Sequence, residues 1–458
     1  MGGEPADQRE RVLALLRQWG WNATGFQVLE RGFAHFFDGD DACVSYVDTG
    51  TAWVVAGAPI APAERLAAVV DRFVAAARSA RRRVCFFAVE ARFLDATGLP
   101  SIVIGEQATW NPQQWPDTLA RRASLREQLR RARAKGVAVR ALAAAEVADP
   151  AGATRRAIDA LIARWQATRP MPQMSFLVDV QPFDFPEQRR YFVAEQDGRV
   201  VGFLCAVPVF ARDGWLFEDF LRDPAAPNGT AELLIDAAMR AVGGEGSTYV
   251  TLGLAPLAGP VSPWLRRVRR LSSALYDFDG LHAFKSKLSP SAWDPVRLAY
   301  PPGRSANLAI VDSLRAFAGG TMVGFGLRTL LHGPALVVRL LALLLVPWTV
   351  LLALAAPTWF PSPAVQYAWV AFDLVLIAGL LALSARWHPG LAVALAIAIS
   401  ADAAVTATEA ALYNLPRADG AATYAVIAIA CAGPLLGATA LWGSIHRLLR
   451  RASATTGA

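Results

Sequence analysis

Between Trp215 and Met239 the chain reads WLFEDFLRDPAAPNGTAELLIDAAM, and the residue types best suited to chemistry lie here. Glu218 and Asp219 interrupt an apolar run, Arg222 closes it, and Pro227-Asn228-Gly229 leads into an amphipathic pattern that opens at Thr230 with Glu232 in its first turn. A helix start presents unpaired N–H groups and the positive end of the helix dipole, so the Gly229–Thr230 amides suit a phosphate or a developing oxyanion. Asn228 and Gly229 allow close backbone approach. Strand alternation sends Glu218 and Asp219 to opposite faces, so at most one of them faces such a site. The competing reading is structural, an ion pair between either acid and Arg222.

A second feature is the basic run LARRASLREQLRRARAKG, a helix expected over Leu119–Lys135. Arg122, Arg126, Arg130 and Arg133 share one face, which is either a solvated surface or a binding face for phosphates of RNA or anionic lipid. WLRRVRR, from Trp264 to Arg270, has the same two readings. In LYDFDGLHAFKSKLSP, Lys285 and Lys287 flank a serine, a pattern that by itself says little.

Elements that position these residues follow from the local patterns. ACVSYVDTGTAWVVAGAP reads as a hairpin around Asp48-Thr49-Gly50, and RRYFVAEQDGRVVGFLCAVPVF as another turning at Asp197-Gly198. After each hairpin comes the same plan of strand, Pro-containing loop, helix and strand. The expectation is therefore a duplicated α/β unit with a mixed sheet, of which only the second copy carries the acids and arginine.

Composition divides the 458 residues in two. From Pro334 onward there are six Lys/Arg and four Asp/Glu, which leaves 39 basic and 34 acidic residues in the first 333. The apolar back reads as four membrane spans, Leu340–Ala356, Val365–Ala385, Leu391–Leu412 and Ala422–Gly443. Arg328, His332, Arg339, Arg386, His388 and the closing HRLLRR gather on one side of them, so the front part and both termini are expected in the cytoplasm. Asp373, Asp402 and Glu409 fall inside the spans and serve either function or bundle cohesion. Cys43, Cys85, Cys205 and Cys431 are scattered among apolar residues, as free thiols in a reducing compartment are. The five histidines do not cluster, so no metal site of the usual kind is expected.

EDFLRDPAAPNGTAELL, TLGLAPLAG and YDFDGLHAFKSKLSPSAWDPVRLAY together resemble the C-terminal synthase domain of bacterial phosphatidylglycerol lysyltransferases, the multiple peptide resistance factors. HFFDGDDACVSYVDTGTAWVVAGAPIAP and RRASLREQLRRARAKG resemble the same domain in the same order, so the resemblance runs from Phe33 to Tyr300. It implies a tandem GNAT-like α/β domain over 1–310, with a non-catalytic half at 1–140 and a catalytic half at 141–310. A linker at 311–333 and an all-α four-helix transmembrane domain at 334–458 follow. It further implies transfer of an aminoacyl group from aminoacyl-tRNA to a lipid hydroxyl, usually of phosphatidylglycerol, with no cofactor. The enzyme would sit in the bacterial inner membrane and would associate with resistance to antimicrobial peptides. Its partners would be aminoacyl-tRNA, anionic phospholipid, the membrane and a second copy of the chain.

By the same resemblance Asp219 and Arg222 form the Asp-x-x-Arg motif, Asn228 and Gly229 belong to Pro-Asn-Gly, Glu232 lies on the helix, and Lys285 belongs to Phe-Lys-x-Lys. Glu218, Thr230 and His282 join the substrate site, although His282 stands where the family has an arginine. Arg122, Arg126, Arg130 and Arg133 would take tRNA or lipid phosphate. The familiar enzymes also carry a flippase before this domain, whereas here the apolar segments follow it. Two other functions stay open: a GNAT-like acyl-CoA-dependent acyltransferase, although no Gly-rich pyrophosphate loop precedes Thr230, and a non-catalytic membrane-anchored sensor or scaffold.

Overall fold

The computed structural model describes residues 5–169, 174–272, 277–321, 324–325, 334–385 and 388–456. The chain forms two compact units, one holding Met1–Arg169 and Gln173–Met322, the other Val323–Ala458.

The first unit is built on an eleven-stranded sheet. Its strands are β1 (Ala34–Phe37), β2 (Cys43–Asp48), β3 (Ala52–Ala56), β4 (Arg83–Val89), β5 (Ser101–Trp110), β6 (Ala138–Leu142), β7 (Arg190–Gln196), β8 (Arg199–Val209), β9 (Gly214–Arg222), β10 (Tyr249–Pro256) and β11 (Ala292–Ala299). Their order across the sheet is 1-2-3-4-11-5-10-9-8-7-6. The helices are α1 (Pro5–Trp19), α2 (Leu66–Ser79), α3 (Ala91–Thr97), α4 (Trp115–Arg121), α5 (Ala123–Ala134), α6 (Ala144–Ala148), α7 (Ala153–Ala167), α8 (Thr230–Gly244), α9 (Pro263–Ser272), α10 (Phe278–Lys287) and α11 (Ala306–Ala318).

Both expected hairpins form, β2–β3 around a positive-φ Gly50 and β7–β8 around Asp197-Gly198. Two parallel pairs interrupt the antiparallel pattern, β3 with β4 across α2, and β9 with β10 across α8. Each crossover helix earns its place through one apolar stripe. Leu234, Ala238, Met239 and Val242 of α8 are fully buried, as are Val69, Phe73 and Ala77 of α2. Burying a side chain the size of leucine or methionine contributes about 1.5–3 kcal/mol. At the centre the last strand of each half pairs with the other half: β5 lies against β10, β11 against β4, and β5 and β11 pair antiparallel with each other.

Three sequence boundaries shift. The basic helix is two helices that break at Arg122, whose backbone (φ −112°, ψ 82°) is not helical. The division expected near residue 140 falls inside β6, which pairs with β7 and so belongs to the second half. The linker expected from 311 begins inside α11, which is tied to the first half by Arg83 and Asp312 at 2.6 Å.

The second unit holds α12 (Pro334–Leu354), α13 (Pro363–Ala385), α14 (Pro389–Glu409) and α15 (Ala421–Thr456). Among the described residues three helices are long and apolar enough to cross a membrane, Pro363–Ser384, Pro389–Arg417 and Ala421–His446; the apolar part of α12, Val338–Leu354, is shorter. Sequence counted four spans, and length and composition support three. Each acid within these helices accepts a hydrogen bond from inside the unit: Asp373 from Thr349 (3.1 Å), Asp402 from Thr406 (3.0 Å) and Glu409 from Trp369 Nε1 (2.9 Å). Satisfied carboxylates of this kind favour the cohesive reading of those residues.

Candidate active site

The pairing of β9 with β10 runs only from Gly214–Tyr249 to Leu216–Thr251. Beyond Leu216 the ladder ends, and each strand carries one extra residue relative to its outer neighbour. On β9, Asp219 pairs with Cys205 and Phe217 with Ala206, which leaves Glu218 as the unpaired residue of a bulge. On β10 the register against β5 shifts between Thr251 and Leu254, with Gly253 at φ 69°. Bulges bend strands and re-aim side chains, and they are frequent beside active sites. Here two of them flank one opening in the sheet.

The bulge on β9 overturns the expected alternation. Phe217 and Phe220 both pack into the cluster on the α8 face, although three residues apart. Glu218 and Asp219 therefore share the opposite face. There Glu218 is paired with Arg189 at 2.9 Å, both side chains being almost fully buried. Arg189 also donates to the Asp184 carbonyl (2.8 Å) and contacts Cys205 Sγ (3.5 Å). Asp219 is buried beside this pair, and its Oδ2 has no hydrogen-bond partner among the described residues. Burial and the neighbouring Glu218 hold the Asp219 carboxyl well above the usual range, against the pull of Arg189.

Arg222 lies on the other face. It pairs with Gly202, and a Cβ on Gly202 would sit 2.8 Å from Leu234 and 3.3 Å from Thr230 of α8. Asp219 and Arg222 are thus separated by the sheet, and the expected structural ion pair between an acid and Arg222 is absent. Arg222 makes one long contact, 3.5 Å to the Asp223 carbonyl.

The start of α8 is less open than the sequence suggests. Gly229 caps it at φ 94°, where a Cβ would approach the Gln128 carbonyl of α5 to 2.5 Å. The Thr230 amide and hydroxyl both donate to Pro227 O, and Thr230 is fully buried, while Asn228 is exposed. Glu232 is buried and paired with Lys287 at 2.7 Å. The Thr230 amide is thus engaged within the turn, and α5 packs close beside the helix start.

Lys285 reaches from α10 into the opening and donates to the carbonyls of Leu252, Gly253 and Leu254 at 2.8, 2.8 and 3.0 Å. Leu252 and Gly253 are the residues that the β10 bulge leaves out of the ladder with β5, and Leu254 is the first to rejoin it. Burial pushes the Lys285 amine down to about 7. Three acceptors match the three N–H bonds of an ammonium, one more than a neutral amine has, and so hold the proton in place. His282 stacks on Trp293 at 4.5 Å, and Phe284 stacks on Phe220 at 5.9 Å, closing the opening on the α8 side.

The family model for phosphatidylglycerol lysyltransferase, C-terminal, matches residues 13–300. The chain belongs to this family. The phosphatidylglycerol lysyltransferase of Bacillus subtilis (strain 168) is 30% identical over 128 residues, which is 26% of this chain and 15% of that protein. Two solved structures share the fold. The C-terminal domain of a putative lysylphosphatidylglycerol synthetase from Agrobacterium fabrum superposes with a TM-score of 0.60 at 23% identity, over 70% of this chain and 99% of that one. L-PGS from Bacillus licheniformis gives 0.59 at 22% identity, over 70% and 98%.

In this lysyltransferase-family domain three of the four arginines of the basic run, Arg126, Arg130 and Arg133, are engaged. Arg126 caps α4 through the Leu119 and Ala120 carbonyls, Arg130 shares Glu127 with Arg131, and Arg133 reaches Asp236 of α8 at 3.0 Å. Arg130 and Arg131 nevertheless remain about two-thirds exposed (side chains 69% and 65%), with donors to spare. Sequence reasoning missed two members of the acidic cluster, Arg189 and Glu30. Glu30 follows a short helical turn (Phe26–Leu29) and is only 4% exposed against β9. Neither carries a local signal, since Arg189 lies between Gln188 and Arg190 and Glu30 is followed by Arg31.

Proposed function

We propose that the chain is a membrane-anchored transferase that moves an aminoacyl group from aminoacyl-tRNA to a lipid hydroxyl, of phosphatidylglycerol or a related lipid. The observation that carries this reading is the opening between β9 and β10, with a buried, high-pKa carboxyl on one face and a triply bonded lysine within it. The aminoacyl ester is already activated, so the step needs no ATP and no covalent enzyme intermediate. The lipid hydroxyl oxygen attacks the ester carbonyl, its proton passes to a base, and the C–O bond to the tRNA ribose breaks as that oxygen takes up a proton.

Asp219 is the base in this reading. An ordinary aspartate, near 3.9, is too weak, whereas a buried one beside Glu218 has the affinity the task needs, and its free Oδ2 has room for a donor. Lys285 fixes the β10 backbone at the opening and supplies a positive charge near the developing oxyanion. Arg222, Lys287 and the exposed Arg130 and Arg131 make the α8 face cationic, which suits the phosphates of the tRNA acceptor end. The acid face then receives the lipid alcohol. In this reading the fold is a tandem GNAT-like duplication, four helices cross the bacterial inner membrane, and both termini lie in the cytoplasm.

The acyl-CoA alternative is disfavoured by the same geometry. A pyrophosphate needs the free amides of a helix start, and at α8 the Thr230 amide already donates to Pro227 O while a Cβ on Gly229 would meet the Gln128 carbonyl of α5.

The test is mass spectrometry of lipid extracts from cells producing the chain, Asp219→Asn or Lys285→Met at matched levels. An amine-bearing phospholipid made only by the unsubstituted protein is the expected result. Unchanged lipids both on overproduction and on deletion in the native organism would overturn the reading.

A further inference from the structure

Both carboxylate oxygens of Glu30 are buried without a hydrogen-bond partner, as are Glu218 Oε1 and Asp219 Oδ2. Yet the Glu30 and Glu218 carboxyls lie within hydrogen-bonding reach of each other. Two ionised carboxylates are both acceptors and cannot bond; one proton between them converts the contact into a hydrogen bond and removes two of these orphans at once. Charge counting agrees. Three carboxyls converge on one guanidinium, that of Arg189, and no other cation is paired with them among the described residues.

Glu30 faces Glu218, Asp219 and Arg189, and the titratable groups of the cluster come from several elements. Glu218 and Asp219 lie on β9, Arg189 precedes β7, Cys205 is on β8 and Tyr191 on β7, with Asp179 beyond Asp219. Arg9 of α1 is engaged elsewhere, by the Leu29 carbonyl and Asp184. Burial first, and then Glu218 and Asp219, push the Glu30 carboxyl up to about 10.

We propose that Glu30 is a positioning residue that enters the site as a neutral carboxylic acid and donates its proton to Glu218. The hydrogen bond fixes the bulged Glu218 and so aims its neighbour Asp219. It also keeps the cluster one negative charge lower than its composition. The acid comes from the first half of the unit while the bulge belongs to the second, so the two halves meet at this proton. The aiming role rests on the aminoacyl-transfer reading; the proton does not.

The experiment uses the full chain in detergent, in three parts. Infrared spectra at neutral pH are expected to show protonated-carboxyl C=O absorption that loses one carboxyl's intensity in Glu30→Gln. Chemical unfolding followed between about pH 6 and 9 gives the second part. The Glu30 carboxyl is raised in the folded chain, so the folded state keeps a proton that the unfolded state has lost, and stability falls as pH rises. That proton lowers the folding constant about tenfold per pH unit, and Glu30→Gln is expected to remove this share of the slope. The third part is rate: Glu30→Gln, which keeps a donor, should stay within about threefold of the unsubstituted rate, while Glu30→Leu, which has none, should fall by at least about a hundredfold, as for a lost active-site hydrogen bond. Protonated-carboxyl absorption of undiminished intensity in Glu30→Gln, or an unchanged slope, overturns the proton assignment whatever the chain's activity. Full activity in Glu30→Leu overturns the aiming role.

Discussion

Replacing Arg189 by methionine tests whether the acidic cluster is held by one cation. The side chain is almost fully buried, and its loss removes the 2.9 Å pair to Glu218 and the donor to the Asp184 carbonyl while leaving a similar apolar volume. Removing one partner of a buried ion pair costs about 3–5 kcal/mol, because the remaining charge is left uncompensated. The orphaned Asp184 carbonyl adds about 1–3 kcal/mol unless water reaches it. A loss of about 4–8 kcal/mol is therefore expected for Arg189→Met at pH 8, most of it from the charge. The sign of the pH dependence follows: without the guanidinium the folded variant's carboxyl cluster is driven to take up a proton that the unfolded chain does not hold above the ordinary carboxylate range. The deficit thus grows as pH rises and shrinks as it falls. Adding Glu218→Gln removes the stranded charge, so the double variant should recover at least about 2 kcal/mol relative to the sum of the two single losses. Urea unfolding of the detergent-solubilised chain, followed by tryptophan fluorescence at pH 6 and pH 8, measures all four corners. A deficit below about 1 kcal/mol at pH 8, one that is larger at pH 6, or strict additivity would refute the argument.

Three further outcomes follow. Gly229→Ala places a methyl 2.5 Å from the Gln128 carbonyl at φ 94°, and should cost about 1–3 kcal/mol and loosen α5 from α8, read as faster hydrogen exchange in both helices. Lys285→Met orphans three carbonyls at up to about 1–3 kcal/mol each, so stability and lipid product should fall together; Lys285→Arg should not rescue, since a planar fork cannot serve three acceptors arranged around one nitrogen, and full turnover in either variant would count against the assignment. Arg130→Ser with Arg131→Ser should weaken tRNA binding uniformly across tRNA sequences and reduce the salt dependence of log K by roughly 1–2, measured by filter binding; an unchanged salt slope would remove α5 from the tRNA surface.

Local chemistry made much of this fold legible. Gly50 and Gly198 announce their turns because few other residues accept a positive φ, and the stripe Leu234, Ala238, Val242 announces α8 because its period is that of a helix. The candidate site was legible in its list of residues and not in its geometry. Alternation placed Glu218 and Asp219 on opposite faces, but a bulge is decided by the neighbouring strand, here by Cys205 and Ala206, and no local propensity foretells it. Beyond the bulge, regular alternation puts Asp219 and Arg222, three residues apart, on opposite faces, although the motif spacing unites them. Glu30 and Arg189 were missed because their significance lies in meeting β9 from far along the chain. The regular arginine spacing was also misleading in part: Arg122 interrupts the helix, and Arg126 and Arg133 answer to neighbouring helices as much as to any ligand.

The exchange of final strands at the centre of the sheet also sets a timetable for synthesis. Until β11 has left the ribosome, β4 has an exposed edge and β5 lacks one neighbour, so the first half cannot close by itself. At about 5–20 residues per second the interval between finishing β4 and finishing β11 is roughly 10–40 s, during which an aggregation-prone edge is open to chaperones or to another nascent chain. The apolar helices are the next part of the chain to emerge. A truncated message ending before Ala292 would therefore release an unfinished sheet, whereas one ending just before Pro334 would release a sheet with every strand in place.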